Sequence, residues 1–155
     1  HLSTGDILRE EVARESELGL MAKKFMEAGE LVTDELIIGM IKNKITSESS
    51  GKGFLLDGFP RTISQAHALD EMLKANSLKV DNVVSLEVHD SVLIERLLLR
   101  GRSDDNEETI KNRLEVYKNQ TLPIKEYYRN LDILVEIKGD DSVEIVSENI
   151  FKALN

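Results

Sequence analysis

The chain contains no cysteine. Disulfides and thiolate metal sites are therefore excluded. It has no apolar run near the ~18–20 residues that a membrane span needs. No secretory leader is legible, and His1 is not a natural start, so the true N-terminus is expected upstream. Positive charge is in the minority: the formal net charge is −9 at pH 7. Such a surface disfavours nonspecific binding to nucleic acid or to anionic membrane. A phosphate-binding site on this chain must concentrate its cations locally. Where the arginines sit is thus more informative than their number.

What is present reads as an ordinary globular composition, 41% hydrophobic and 32% charged over 155 residues. That is enough to bury the core of one compact domain. Ile7, Leu8, Val12 and Ala13 follow Ser3-Thr4-Gly5-Asp6, which predicts a helix from about Thr4. A second helix is predicted over 18–27, stopped by Gly29. A third starts at Thr33 as N-cap, with Leu36, Ile37, Met40 and Ile41 on one face. Residues 46–52 read as a polar loop. Later helices are predicted over 62–74, 91–99, 106–128 with a break at Pro123, and 142–154. Strands are predicted at 53–57, 80–88 and 133–137; the first is a continuous apolar run ending in Asp57 and is expected to be buried. Strands alternating with helices imply an α/β fold, a parallel sheet with helices on both faces. The first three helices follow one another without a strand and read as an insert projecting from that sheet.

Three groups of residues bear on chemistry. Asp57-Gly58-Phe59-Pro60-Arg61 follows a strand, where ligands bind in open parallel sheets. Asp57 there either caps a turn or holds magnesium through water, and Arg61 is either a surface residue or a bidentate phosphate ligand. Arg96, Arg100, Arg102 and Arg113 form an arginine-rich group. Phosphoryl transfer needs such fixed positive charge. The alternative is solvated ion pairing with Glu95, Asp104, Asp105, Glu107 and Glu108. In the third group, Asp6 and Arg9 either form a local helix pair or leave Arg9 free for phosphate beside a small-residue turn.

The order Ser-Thr-Gly-Asp-x-Leu-Arg from Ser3, Gly-Glu-Leu-Val-x-Asp-Glu from Gly29, Asp-Gly-Phe-Pro-Arg-Thr from Asp57 and Gly-Arg-x-Asp-Asp-Asn-x-Glu-Thr from Gly101 resembles adenylate kinases, in their short-lid branch. The resemblance covers essentially the whole chain. It implies a nucleoside monophosphate kinase fold of the phosphate-loop type, with a helical AMP-binding insert and a lid that is very short or incompletely represented in this sequence. It implies phosphoryl transfer from ATP to AMP, giving two ADP, with Mg²⁺. By the same resemblance, Arg9 and Arg61 meet the AMP phosphate. Thr4 and the backbone near Glu30, Leu31 and Val32 meet its adenosine beside Gly58, and Gln65 reads the adenine edge. Asp57 orients magnesium-bound water, and the peptide bond before Pro60 is expected to be cis. Arg96 packs on the ATP adenine, with the loop carrying Asp141 alongside; Asp140-Asp141 is a poor match there. Arg100 meets the ATP phosphates, and Arg102 and Arg113 clamp the transferring group. A cytoplasmic monomer acting on ATP and AMP, with no nucleic acid or membrane partner, is the implied setting.

Two departures from the family pattern stand out. No strand followed by a Gly-x-x-x-x-Gly-Lys phosphate loop is present; Gly51-Lys52-Gly53 precedes a strand, where such a loop must follow one. The first βα unit is therefore expected to be missing, leaving sheet edges unpaired. In addition, only Gly101 separates Arg100 from Arg102, where several residues were to be expected; a mobile lid stretch missing from the sequence is the preferred explanation. The expected organisation is one kinase domain over 1–155. Within it, 3–32 is the AMP-binding helical subdomain, 33–99 and 106–155 the core, and 100–105 the lid remnant. A UMP/CMP kinase is one alternative, disfavoured by Gln65 in place of asparagine. An inactive nucleotide-binding fragment is the other.

Overall fold

The computed structural model describes residues 1–47 and 53–155. Gly51 and Lys52, with the rest of 48–52, lie outside the described residues. Strand β1 (Leu2–Ser3) runs straight into α1 (Thr4–Ala13), followed by α2 (Glu17–Ala28) and α3 (Asp34–Ser47). Strand β2 (Leu56–Asp57) precedes α4 (Ile63–Ala75), and β3 (Val83–Glu87) precedes α5 (Asp90–Arg100). Then come α6 (Glu107–Val116), a π-helical turn (Tyr117–Thr121), α7 (Pro123–Arg129), β4 (Leu134–Lys138) and α8 (Val143–Leu154).

The helix boundaries follow local chemistry. Ser16, Thr62 and Asn106 each accept a backbone N–H three residues on, capping α2, α4 and α6. Gly29 and Gly101 end α2 and α5 in the left-handed conformation, at φ 74° and 68°. The corner between α1 and α2 is tight: a Cβ added at Gly19 would lie 2.1 Å from the Glu11 carbonyl oxygen. Pro123 breaks the 106–128 helix as expected, and the chain relaxes into the π-turn just before it. Contrary to the loop expected from 46, α3 continues to Ser47.

The strands are parallel, but they form two separate pairs, β1 with β2 and β3 with β4. Parallel strands with sheet edges left unpaired were expected, and both pairs are parallel. Because neither pair has a further strand among the described residues, 53–57 is not the buried strand anticipated. Only Leu56 and Asp57 pair, and Leu55 is 66% exposed. Helix α4 joins the two halves. Its Leu69 and Leu73 enter the main core with Ile37, Ile41 and Leu8, while Ala66 packs on Ile124 and Tyr128 below β3 and β4. The carboxyl ends of β1 and β2 therefore open onto the start of α1 and the 58–62 turn. Helix α6 closes this side from the other direction. Thr109 Oγ1 donates to the Glu27 carbonyl at 3.0 Å and Asn112 Nδ2 to the Ala28 carbonyl at 2.7 Å, satisfying the end of α2.

Candidate active site

Thr4 knots the two short strands together. Its buried hydroxyl donates to the carbonyl of Gly58 at 2.8 Å, with Asp57 O at 3.2 Å. Gly58 has φ 72°, and a Cβ there would lie 2.8 Å from both Thr4 Oγ1 and Arg61 Nη2. The turn therefore needs glycine for backbone angle and for space. The Phe59-Pro60 bond is cis, as expected. Arg61 then doubles back, its Nε donating to the Gly58 carbonyl at 2.8 Å.

Arg61 is solvent-exposed yet crowded by neighbouring atoms and charges. Desolvation depresses its pKa; Asp57 opposes that, and the neighbouring Arg113 and Arg9 cations add to the depression. Arg9 pairs with Asp6 at 2.5 Å, so the local helix pair foreseen as an alternative is present. Asp6 also lies 3.9 Å from Arg102 Nη2. Arg100 grips Asp105 through two hydrogen bonds, at 2.8 and 2.6 Å. Asp105 also takes Arg113 at 3.0 Å and the Arg102 backbone N–H at 3.2 Å. Its side chain is wholly inaccessible. The Arg100 hydrogen bonds, chief among its contacts, hold its carboxyl down at about 2. Arg113 pairs further with Asp104 and donates to the Met26 carbonyl at 3.4 Å. Five arginines from α1, the 58–62 turn, the end of α5, the turn after it and α6 thus share one region. The ion-pairing and the convergence foreseen as competing readings coexist. Sequence reasoning left Asp6, Asp104 and Asp105 out of the site; the acidic pair directly after Arg100 and Arg102 was the available signal.

The other expected residues are placed as follows. Gln65 is only 2% exposed. Its Nε2 donates to Asp34 Oδ1 and its Oε1 accepts the Arg61 backbone N–H, both at 2.7 Å. Asp34 was not foreseen as a site residue. Val32 faces the core at 5% exposure, so the 30–32 loop turns that side chain away; Leu31 is half-buried and Glu30 exposed. Arg96 and Asp141 belong to a second group at the ends of β3 and β4. Arg96 donates to the carbonyls of Gly139, Asp140 and Asp141 at 2.7, 2.9 and 3.1 Å. Its guanidinium is thereby fixed as a brace of the 139–141 loop. Asp140, the poor family match, accepts the His89 backbone N–H at 2.9 Å and lies 2.6 Å from His89 Nδ1. Asp141 lies 3.9 Å from Lys138 Nζ.

Asp57 is the candidate metal contact. Its side chain is 64% exposed, with His1 Nε2 at 3.9 Å. Among the described residues no three His, Asp or Glu side chains gather as a cage. A lone exposed carboxylate fits a hydrated divalent cation held through water, with other ligands from phosphate.

A family model described as Adenylate kinase matches residues 1–133. Proteins named Adenylate kinase are similar over almost the entire chain. That of Synechococcus sp. (strain CC9902) is 49% identical over 155 residues, covering 100% of this chain and 84% of the relative. That of Leptospira biflexa serovar Patoc (strain Patoc 1 / Ames) is 48% identical over 157 residues, 99% of this chain and 84% of its own. That of Corynebacterium urealyticum (strain ATCC 43042 / DSM 7109) is 44% identical over 155 residues, 100% and 84%. With its parallel strands flanked by helices, this chain belongs to the adenylate kinase family, enzymes of the nucleoside monophosphate kinase type.

Proposed function

We propose that the arginine cluster holds and stabilises the phosphoryl group passing from ATP to AMP, giving two ADP. The observation that carries this is the convergence of Arg9, Arg61, Arg100, Arg102 and Arg113 at the carboxyl ends of β1 and β2. Phosphoryl transfer is catalysed mostly by positioning and by fixed charge, and guanidinium groups match phosphate oxygens in pairs. Arg9 and Arg61 take the AMP phosphate. Arg100 takes the ATP phosphates, while Arg102 and Arg113 attend the group in transit. Nucleotide phosphates replace Asp6, Asp104 and part of Asp105 as partners of these side chains. Thr4, Gly58 and the 29–32 backbone shape the AMP adenosine site, with Gln65 at the base. Arg96 and the loop at Asp141 border the ATP adenine.

Asp57 would hold Mg²⁺ through water, and the ion would supply positive charge to offset that of the phosphates. Residues 3–32 cover AMP, 100–105 cover ATP, and the remainder is the core; closing both covers excludes water. A cytoplasmic monomer is proposed.

The test is Arg61→Ala in the full-length protein. Its kcat/KM for AMP in a coupled ADP assay is expected to fall by about 10²–10³-fold, a loss of the size seen when one oxyanion donor is removed. Its melting temperature is expected to stay near that of the parent. Near-normal turnover would overturn the assignment.

A further inference from the structure

The Gln65 amide is held at both ends by partners of fixed character. The Arg61 backbone N–H only donates, so the atom 2.7 Å away is Oε1. The Asp34 carboxylate only accepts, so the atom 2.7 Å from its Oδ1 is Nε2. The two requirements agree, and the amide has one orientation set by chemistry. Asp34 is itself anchored. It opens α3, where the helix dipole favours a carboxylate, and its Oδ2 accepts the Thr62 hydroxyl at 3.0 Å. Thr62 in turn accepts the Gln65 backbone N–H at 3.1 Å. Among the described residues these contacts use one lone pair of Oε1 and one hydrogen of Nε2. One acceptor and one donor remain unspent on a group that is only 2% exposed. Buried amides normally spend their capacity, so this one is poised for a ligand.

We infer that Asp34 is a specificity-determining positioning residue, which locks the polarity of the Gln65 amide so that the cleft selects a 6-aminopurine over a 6-oxopurine. The inference rests on Gln65 facing the base. A 6-aminopurine edge offers an amino donor beside a bare ring nitrogen, matching the free acceptor and donor of the locked amide. A 6-oxopurine offers a carbonyl beside an N–H and needs the amide turned over. Turning it sets the NH₂ against the Arg61 N–H and the carbonyl against the Asp34 carboxylate, so two hydrogen bonds become two repulsions. Asparagine at 34 could rotate its own amide and follow the flip; aspartate cannot.

The experiment compares Asp34→Asn and Gln65→Leu in the full-length protein, measuring AMP and IMP dissociation constants by calorimetry, with kcat for AMP and thermal melting alongside. For Asp34→Asn the AMP-over-IMP preference is expected to fall about tenfold or more. A merely structural role would weaken both nucleotides alike and leave the preference unchanged, and that outcome overturns the inference even if the variant melts early. For Gln65→Leu the preference is expected to collapse through weaker AMP binding. Collapse in Gln65→Leu with an unchanged preference in Asp34→Asn rejects the role of Asp34 and leaves Gln65 at the base. No change in Gln65→Leu rejects the base-facing placement, and the inference with it.

Discussion

Asp105 is the single acceptor on which Arg100, Arg113 and the Arg102 backbone meet. Its carboxyl, at about 2, lies below the ordinary value of 3.8. A depressed acid stabilises the fold above its unfolded-state value, and that contribution drains away as pH falls towards the folded-state value. Asp105 therefore contributes at most about 2 kcal/mol at neutral pH, lost between roughly pH 4 and pH 2. Urea denaturation of the parent and Asp105→Asn should differ at pH 6 and converge near pH 2; a constant gap across that range would contradict the assignment. At Gly58, alanine brings both a left-handed backbone and a clash with Thr4 and Arg61. A cost of about 1–3 kcal/mol is expected for Gly58→Ala in chemical denaturation. Turnover should fall alongside, because Arg61 loses its seat. Motif order in the sequence located both residues. It left open whether Asp6, Asp104 and Asp105 occupy the arginines, since partner choice between side chains depends on packing.

At the scale of elements, the helices were largely legible. Ser16, Thr62, Asn106, Gly29 and Gly101 mark their ends through contacts a few residues away, and such contacts leave a trace in the sequence. The strands were less so. The apolar run at 53–57 looked buried, yet whether an apolar face is covered depends on a neighbouring strand that local pattern cannot name. The corner between α1 and α2 offers a sharp test. A Cβ at Gly19 would overlap the Glu11 carbonyl and the Val12 nitrogen, both backbone atoms that cannot step aside. Gly19→Ala is expected to cost about 3 kcal/mol or more, or to prevent folding, as judged by thermal denaturation. A melting temperature within a degree or two of the parent would show that the two helices separate easily.

For the whole molecule, a net charge of −9 surrounds a region where five guanidinium groups gather. Nucleotide phosphates must approach through a repelling field and bind in an attracting one. Salt screens both, with a Debye length of about 10 Å at 0.1 M and about 3 Å at 1 M. The short-range attraction contributes most to binding, so KM for both nucleotides is expected to rise several-fold, roughly, as KCl is raised from 0.05 to 0.5 M. An unchanged KM would mean that the arginines are not at the nucleotides.

Helix α6 touches both proposed covers. Thr109 and Asn112 hold the last carbonyls of α2, and Arg113, one turn further on, holds Asp104 and Asp105 beside Arg102. A single rigid strut is thus bolted to two doors. On the proposed arrangement, a movement of 3–32 or of 100–105 would load this same helix for as long as these bonds hold.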